Sequence, residues 1–392
     1  MYDVVISGAG PAGSKCAEVV ARAGFKVALI EKDVNWRKPC GGGIPSAKIY
    51  EQYPDIEEQG FHKIQGLAMY SDDYHKIDYF SDNVTTSSLT VDRLAFDNYV
   101  RDMAVKAGAE LFDKNFAHDF VYSNNKIAGV KTKTPSGEKI YQGKIVIIAD
   151  GMSSRLAVRS GLRGKWTPEN LGISRVEILE GPHKLDEKYV YFFFKRYGYC
   201  WIFCLGDNRF NIGSIVYGDS NLQYNANKTF EQFMQDAPLK ELLPEEDYKV
   251  IWAGNFPEPA RGVLEKSLYG DSLMIIGDAA GFVAPINGEG IQPGITSGQV
   301  AGEVAVKALK QNDCSSKTLK EYKYHPRIKK MIRKYKFQSK FVEFFYENNG
   351  ENLNKIFKQA ENDEKFRRIA IDIFIYGKTP PKDFISFVKS LK

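Results

Sequence analysis

The sequence predicts an α/β protein in which a nucleotide-binding domain of parallel strands and helices is interrupted by a β-sheet domain and followed by a helical region. Three observations predict this class. The chain opens on an apolar strand that runs into a glycine-rich turn and a helix, and a second apolar strand, ending in Gly277-Asp278, stands in the C-terminal third. Between them, residues 172–252 are rich in aromatic and β-branched residues, which is typical of a sheet.

We therefore predict three parts. Residues 1–170 and 256–306 form a discontinuous nucleotide-binding domain, residues 171–255 form an inserted antiparallel β-sheet domain for the substrate, and residues 307–392 form a helical C-terminal region. A chain of 392 residues is long enough to give these parts a sizeable core.

The first element is a glycine-rich turn between a strand and a helix. Residues 4–7 are a short apolar strand, and the motif Gly8-x-Gly10-x-x-Gly13 follows directly. Gly8 would allow the tight turn, Gly10 would let backbone approach a pyrophosphate, and Gly13 would permit close packing of the helix on the strand.

The next helix and strand complete this unit. We predict a helix over 12–23 that ends before Gly24, a residue type common just after a helix. A strand over 27–30 then ends at Glu31, whose carboxylate would accept hydrogen bonds from the adenosine ribose hydroxyls. The order of strand, turn, helix, strand and acid predicts a dinucleotide site.

The chain between this unit and the inserted sheet is predicted to contain a constrained loop, one helix and several strands. Closely spaced glycines and prolines at residues 39–45 indicate a constrained loop. In order, we predict a loop-rich segment over 33–60, a helix over 92–107, a strand over 110–116, a hairpin of strands 126–134 and 138–142, and a buried strand over 146–149 that ends at Asp150-Gly151.

The Gly277-Asp278 turn is the second half of the predicted site. An apolar strand over 273–276 runs into it, and a helix of small residues follows. Such a turn brings backbone N–H groups and one carboxylate against a ligand. A single ligand held from both ends of the chain suggests FAD in a discontinuous domain.

Composition narrows the class of protein. The chain is 43% hydrophobic and 26% charged, as a globular protein is. No window of about 18 residues is free of charges, so we expect no membrane-spanning helix, and the immediate first strand leaves no room for a targeting peptide. Because the five cysteines and five histidines show no disulfide or metal pattern, we expect no metal site and a cytoplasmic location.

Basic residues are concentrated near the C-terminus. Twelve Lys or Arg residues lie between Lys307 and Lys340. We take a solvated face as the default and expect no nucleic-acid partner. Residues 327–346 predict a basic amphipathic helix, which would either contact an anionic membrane peripherally or pack on the first domain as ordinary core. Its apolar face consists of Ile328, Met331, Ile332 and Tyr335.

The three nucleotide elements, in this order, resemble those of the aromatic-hydroxylase flavoproteins, which share a glutathione-reductase-like, Rossmann-type FAD domain. Two further stretches resemble geranylgeranyl reductases. Residues 40–43 (Cys-Gly-Gly-Gly) look like their Cys-Gly-x-Gly loop, and residues 199–203 (Tyr-Cys-Trp-Ile-Phe) look like the core of their PxxYxWxFP substrate motif. Arg196 and Cys204 stand where that motif has prolines.

The resemblance implies a set of site residues. The catalytic candidates are Cys40, Tyr199 and Trp201. The FAD contacts would be Ala12, Glu31, Cys40, Gly41, Gly43, Arg93, Ala117, Asp278, Gly290 and Ile291, together with the turn glycines Gly8, Gly10 and Gly13.

The resemblance implies that the protein is an FAD-dependent reductase of C=C bonds in geranylgeranyl chains, in particular the chains of archaeal-type ether lipids. Such alkenes have no conjugated carbonyl, so a proton must accompany hydride transfer from the flavin. Cys40 and Tyr199 are candidate donors, with water as their rival. The stripe Tyr199, Trp201 and Phe203 shares one face of a strand and would form an apolar wall, or simply sheet core.

Two questions stay open from the residues. The alternative function is an FAD-dependent monooxygenase or halogenase acting on an apolar substrate, although the chain has no WxWxIP stretch of the halogenase kind. The electron donor is undetermined among ferredoxin, reduced deazaflavin and NAD(P)H, since no second GxGxxG motif is present.

Overall fold

The computed structural model describes residues 1–81, 88–218, 224–244, 247–260, 262–263, 267–346 and 350–390, so small parts of the predicted domains, such as 219–223, lie outside the described residues. In these ranges the predicted α/β class is confirmed. The strands, in chain order, are β1 (Tyr2–Ser7), β2 (Val27–Ile30), β3 (Gly43–Ile44), β4 (His62–Ile64), β5 (Gly66–Tyr70), β6 (Lys76–Phe80), β7 (Ser88–Thr90), β8 (Glu110–Phe112), β9 (Phe116–Ser123), β10 (Lys126–Thr134), β11 (Gly137–Ile148), β12 (Leu171–Glu180), β13 (Tyr189–Lys195), β14 (Gly198–Gly206), β15 (Arg209–Tyr217), β16 (Lys249–Pro259), β17 (Tyr269–Gly270) and β18 (Leu273–Ile275).

Helices flank the sheets and make up the C-terminal region. Short 3₁₀ turns are found at Ile56–Gln59, Pro168–Asn170 and Gly277–Ala280. The α-helices are α1 (Pro11–Arg22), α2 (Lys48–Gln52), α3 (Arg93–Lys106), α4 (Arg155–Arg159), α5 (Ala226–Phe233), α6 (Ala237–Leu242), α7 (Ile291–Lys310), α8 (Ser316–Leu319), α9 (Glu321–Tyr324), α10 (Pro326–Tyr346), α11 (Glu351–Asn362), α12 (Glu364–Phe374) and α13 (Lys382–Ser390).

The first sheet is the parallel sheet of the nucleotide-binding domain. Its strand order is β17-β18-β11-β1-β2-β8, and β11 also carries the antiparallel hairpin of β9 and β10. The pairs of β1 with β2 and β11, of β11 with β18 and of β2 with β8 are parallel. β1, β2 and β18 are buried on both faces, which explains their unbroken apolar sequences. Strands from the N-terminal part and from the C-terminal third of the chain thus meet in one sheet.

Helices α1 and α7 pack closely beside this sheet. A Cβ atom added to Gly298 of α7 would collide with the carbonyl oxygen of Ala12 in α1, and one added to Gly302 would lie 2.8 Å from Cβ of Val19. The small residues of α7 therefore let the two helices approach. This packing places the N-terminus of α1, near the beginning of the chain, and the N-terminus of α7, in its last third, on the same side of the molecule.

The second sheet has the order β16-β12-β15-β14-β13-β5-β6. Its pairs are antiparallel except that of β13 with β5, which is parallel. The sheet takes in β5 and β6, which the predicted division leaves in the first domain, and β16 runs past the predicted boundary at residue 255. Two helices, α5 and α6, interrupt the region that the sequence predicts as sheet.

Several predicted elements have different bounds in the structure. The strand predicted over 110–116 ends at Phe112, because Lys114 takes a left-handed φ of +56° and the chain turns before β9 begins. The separate strands predicted over 138–142 and 146–149 are one long strand, β11. The predicted helix over 92–107 is α3, and Asp92 caps it by accepting hydrogen bonds from the N–H groups of Leu94 and Ala95.

The C-terminal helices cover both domains. The apolar side chains Ile328, Ile332 and Tyr335 of α10 are buried in the core of the nucleotide-binding domain, so this face is core rather than a free membrane-binding face. Aromatic rings of α11 and α12 pack on Phe194 of the second sheet, with Phe357 and Phe374 at 5.3 and 5.5 Å between ring centroids. No helix in the described ranges is long and apolar enough to cross a lipid bilayer.

Candidate active site

A groove with an empty volume of about 1570 Å³ lies where the strands of the first sheet end. The turn after β1, Glu31 after β2, Asp150 after β11 and Asp278 after β18 all line it. The carboxyl ends of parallel strands meet at one edge of a sheet, where such folds bind nucleotides. The groove is therefore the candidate dinucleotide site.

The glycine turn after β1 needs its glycines for three different reasons. Gly8 has φ +102°, and a Cβ atom there would collide with the carbonyl oxygen of Ala149. A Cβ atom on Gly13 would collide with the carbonyl oxygen of Gly8, so Gly13 serves the packing of α1 on β1. At Gly10 no atom lies within 4 Å of the added Cβ, because this position faces the open groove. The backbone at Gly10 is thus free to approach a ligand.

Glu31 lies at the side of the groove with its carboxylate held by backbone. One oxygen accepts a hydrogen bond from the N–H of Ala9 at 2.9 Å, and the other accepts from those of Lys32 at 2.8 Å and Asp33 at 3.1 Å. These contacts fix the orientation of the carboxylate. A carboxylate has about four acceptor sites, so the oxygen that accepts from Ala9 can accept one further hydrogen bond.

Asp150 carries an unsatisfied buried oxygen in the groove wall. Its Oδ1 has no hydrogen-bond partner, and burial raises the pKa of this carboxyl to about 6. Buried polar atoms are normally hydrogen-bonded, so an orphan at a groove wall indicates a missing partner. A hydroxyl-bearing or ammonium-bearing ligand would provide it.

Buried cations line the same groove. Arg93 is paired with Asp97 through hydrogen bonds of 3.0 and 3.1 Å, and Arg101 donates to the backbone carbonyl of Val34 at 2.7 Å. Lys38 forms an ion pair with Asp278, the acid that the sequence places in the site. Burial opposes the charge of Lys38, yet Asp278 outweighs it and raises the pKa of the lysine. Lys32 and Arg155 also line the groove, so the described residues offer five positive groups to a pyrophosphate, of which only Arg93 was predicted from the sequence.

A second cavity of about 1130 Å³ adjoins the groove. Its walls are mostly apolar, and the aromatic stripe of β14 forms one of them, with Phe192 and Ile215 beside it. The side chains of Tyr199, Trp201 and Phe203 lie in one core cluster, whereas Cys200, Ile202 and Cys204 lie in another on the opposite face of the sheet. Of the described part of the chain, five residues line both cavities: Cys40, Glu258, Gly288, Gly290 and Ile291.

The Cys40 loop passes between the two cavities and packs on the aromatic wall. A Cβ atom on Gly41 would lie 2.7 Å from Phe203, and one on Gly43 would lie 3.1 Å from it, so the loop needs small residues there. Asn211 of β15 ties the loop to the wall: its Nδ2 donates to the carbonyl oxygen of Cys40 at 2.9 Å, and its Oδ1 accepts from Nε1 of Trp201 at 2.8 Å. Loop and wall are therefore one hydrogen-bonded unit.

The thiol of Cys40 makes a weak hydrogen bond and lies close to a cation. Its Sγ accepts a hydrogen bond from the N–H of Gly42 at 3.4 Å. Burial opposes the charge of Arg93, but Asp97 and then Cys40 outweigh it and raise the pKa of this arginine. The thiol thus lies beside a guanidinium that is positively charged at every accessible pH.

Tyr199 has its hydroxyl at the same junction. The hydroxyl donates to the backbone carbonyl of Asn287 at 2.9 Å. Burial, followed by the nearby Glu258 carboxyl, raises the pKa of Tyr199 well above its ordinary value. Tyr199 is therefore a neutral hydrogen-bonding group at any physiological pH.

Two half-buried acids of the second cavity were not predicted from the sequence. Burial raises the pKa of Glu258 to about 8, with Lys38 lowering it and Asp278 raising it. Burial also raises the pKa of Glu289 to about 7, although this carboxylate accepts a hydrogen bond from the N–H of Gln292 at 2.7 Å. Neither acid belongs to a motif, so no local signal marks them.

The predicted site residues divide between the two cavities, and their roles stay predictions. Gly13 lines neither cavity, since its function is the packing described above. Gly41, Gly43, Tyr199 and Trp201 line only the second cavity. Those that line only the groove are Gly8, Gly10, Ala12, Glu31, Arg93, Ala117 and Asp278, and those that line both are Cys40, Gly290 and Ile291.

The residues present fit a flavin dinucleotide. The groove combines an open glycine turn, cations for a pyrophosphate, and an orphaned oxygen on Asp150. Gly290, the N-cap residue of the 20-residue helix α7, brings a helix start to the junction of the two cavities, where a positive dipole end favours electron-rich groups. Within the described residues, no group of three or more His, Cys, Asp or Glu side chains is arranged to hold a metal ion.

Comparisons with known proteins agree with this reading of the groove. A family model described as FAD dependent oxidoreductase matches residues 3–169. The chain is 33% identical over 335 residues to a digeranylgeranylglycerophospholipid reductase of Methanocaldococcus jannaschii, covering 82% of this chain and 81% of the relative.

Solved structures show the same fold. A geranylgeranyl bacteriochlorophyll reductase-like protein from Thermoplasma acidophilum superposes with a TM-score of 0.83 at 23% identity, covering 95% of this chain and 96% of that one. A triple mutant of the flavin-dependent brominase Bmp2 superposes with a TM-score of 0.75 at 20% identity, covering 100% and 99%. At these identities the likeness speaks for the fold alone.

Proposed function

The chain belongs to the digeranylgeranylglycerophospholipid reductase family, and from that premise we propose that it is an FAD-dependent reductase that saturates the C=C bonds of geranylgeranyl chains in archaeal-type ether lipids. One observation carries the proposal: an apolar, aromatic-walled cavity opens onto the dinucleotide groove at the Cys40 loop. The cavity suits an isoprenoid chain, which has no polar group along its length.

We propose that FAD is held by the groove and enters the junction with its reactive ring. The glycine turn and the cations Lys38, Arg93 and Arg101 would hold the pyrophosphate, Glu31 a ribose, and the start of α7 the electron-rich edge of the ring. When bound and reduced, FAD supplies the hydride that the alkene needs.

The other tasks fall to the protein. An isolated alkene gains a hydride only if a proton reaches its other carbon, so positive charge develops on the chain. The aromatic rings of Tyr199, Trp201 and Phe203 would attract that charge and keep water away from it. Cys40 and Tyr199, at the entrance to this cavity, are the proposed donors or positioners of the proton.

Anaerobic turnover tests the proposal directly. Protein loaded with FAD and reduced chemically, so that the natural electron donor is not needed, should convert a geranylgeranyl ether phospholipid under argon into products heavier by two hydrogens per saturated bond. The fully saturated lipid is the matched control and should leave the reduced flavin unchanged. A reaction that requires oxygen, or incorporates it, would instead establish the monooxygenase or halogenase alternative.

Access to a lipid substrate suggests a peripheral membrane contact. With its apolar face packed in the core, α10 exposes Lys329, Lys330, Arg333 and Lys340 for such a contact, and each cation near an anionic surface contributes on the order of 1 kcal/mol. We propose weak, purely electrostatic binding, so the protein should float with anionic vesicles at low salt and leave them at high salt. Flotation that persists at high salt, or its absence at low salt, would contradict this mode of access.

A further inference from the structure

Glu258 has the features of an acid placed for catalysis. It lies near the end of β16, and its side chain lines both the groove and the apolar cavity. Among the residues that the structure describes, only Cys40, Gly288, Gly290 and Ile291 share that position, and none of the four is a carboxylic acid. A group at this junction can touch a ligand in either cavity.

The backbone at this position is built to be rigid. Glu258 stands between Pro257 and Pro259 on an edge strand, where prolines are tolerated because their missing N–H groups would face outward. β16 pairs with β12 across this point, with Glu258 opposite Gly172. The carboxyl is therefore presented by a strand with little freedom to move.

The carboxyl group itself is unengaged. Among the described residues, no hydrogen bond or ion pair involves its oxygens, and Gly288 lies so close that an added Cβ would be 2.8 Å from Oε1. The groups that face it are Lys38 of the Cys40 loop, Asp278 after β18, Tyr199 of β14 and Tyr217 of β15. Lys38 is already paired with Asp278, and both tyrosines are neutral, so among the described residues Lys38 offsets the charge of an ionised Glu258 only in part.

We propose that Glu258 is the acid that protonates the alkene, an inference that rests on the reductase function proposed above. The O–H bond of the carboxylic acid breaks, and its proton forms a C–H bond at one alkene carbon. The hydride supplied by reduced FAD forms the second C–H bond at the other carbon, so the alkene gains two electrons and two hydrogens. Water reaching the groove then returns a proton to the carboxylate.

The surroundings keep the acid ready for this step. Because burial raises its pKa to about 8, Glu258 holds its proton at neutral pH and can donate it to one alkene carbon as the hydride reaches the other. Tyr199 is a weaker candidate, since its proton is already donated to Asn287 and its pKa lies far higher. Tyr199 and Cys40 then act as neighbours that shape the junction.

The test is the pH dependence of a single turnover. FAD-loaded, chemically reduced protein is mixed with geranylgeranyl ether phospholipid under argon, and the return of the oxidised flavin absorbance is followed. With a pKa of about 8, the wild-type rate should fall about tenfold between pH 7 and pH 9. Glu258→Gln should react at least about 100-fold more slowly at pH 7 and show no such fall, and Glu258→Asp should recover part of the rate.

A spectroscopic readout separates protonation from activity. In the oxidised, FAD-loaded protein without lipid, one component of the infrared C=O absorption of protonated carboxyls should titrate near pH 8 and be absent in Glu258→Gln, whereas the components of Glu289 and Asp150 titrate near pH 7 and pH 6. The matched variant Glu289→Gln changes the other acid of the same cavity whose pKa is raised, one that does not line the groove. Whatever its absolute rate, this variant should keep the component that titrates near pH 8 and the roughly tenfold fall in rate between pH 7 and pH 9. The ratio of flavin to protein absorbance reports that each variant folds and loads FAD.

The outcomes distinguish the two proposals. If the lipid never reoxidises the wild-type flavin at any pH, the reductase function fails and the role of Glu258 fails with it. If the wild type reacts but Glu258→Gln matches its rate, Glu258 is not the acid. A slower Glu258→Gln that keeps the fall near pH 8 also overturns the inference, because the titrating group would then be another residue.

Discussion

Asn211 joins the Cys40 loop to the aromatic wall, and removing its amide tests whether the two act as one unit. Asn211→Ala deletes both hydrogen bonds of the side chain, to the carbonyl oxygen of Cys40 and to Nε1 of Trp201. Asn211 is 3% exposed and Trp201 5% exposed, so water cannot readily replace the lost partners.

The magnitude follows from the two groups left unpaired. A buried donor or acceptor without a partner costs about 1–3 kcal/mol, and partial relaxation into the space left by the amide makes the two costs less than additive. We expect the free energy of unfolding to fall by about 2–4 kcal/mol in urea denaturation of the FAD-loaded protein. We also expect the KM for the lipid to rise, because the wall and the loop can then shift independently.

The second sheet provides a matched control. Asn255 also makes two side-chain hydrogen bonds, one to Asn227 at 2.7 Å and one from Arg175 at 3.2 Å, but it is exposed. Asn255→Ala should therefore change the unfolding free energy by no more than about 0.5 kcal/mol. Equal effects of the two substitutions would refute the view that the bridge is a buried structural link.

Four further predictions concern the site. Glu31→Ala should release FAD more readily during dialysis, by roughly 1.5–3 kcal/mol in binding free energy, because a charge-assisted contact is lost; unchanged retention would remove Glu31 from the site. Cys40→Ala should keep its FAD but reduce the alkene more slowly in anaerobic turnover, whereas full activity would leave Cys40 as a loop residue only. Trp201→Ala should weaken lipid binding more than it slows chemical reduction of the flavin, and equal losses would indicate collapse of the core. Glu258→Gln should be more stable than the wild type by a margin that grows from pH 4.5 to pH 8. In the unfolded state this acid ionises above its ordinary pKa of 4.5, whereas in the folded state it stays neutral up to about pH 8. The stability of the wild type therefore falls as the pH rises through this window, and that of the variant does not. Melting temperatures of both proteins across that range would show a constant difference if Glu258 ionises normally.

The nucleotide-binding elements could be predicted because their requirements are local. A strand followed by a turn with φ +102° at Gly8 needs glycine whatever the rest of the chain does. Asp150 and Asp278 each follow an apolar strand, and the carboxyl ends of parallel strands converge on one edge. Residues far apart in the chain could therefore be assigned to a single groove, and the class of fold followed from them.

Patterns that depend on long-range partners were predicted less well. The period of residues 327–346 shows that α10 has an apolar face, but only the structure shows that the core of the first domain covers it. The pairing of β5 with β13 likewise joins strands that lie far apart in the chain, and nothing in the local sequence of either strand indicates it. The alternation of side chains along a strand determines which face of the sheet each residue occupies, whereas tertiary packing decides which element covers that face.

The sequence by itself determined the glycine turn, the Cys40 loop and the alternation that puts Tyr199 and Trp201 on one face of a strand. Tertiary structure alone decided that Glu258 reaches the junction of the two cavities, that Lys38 pairs with Asp278, and that Asn211 links loop to wall. The physical reason is the range of the interactions. Backbone conformation depends on neighbouring residues, but the environment of a buried polar side chain depends on groups that only the folded chain brings within a few ångströms of it.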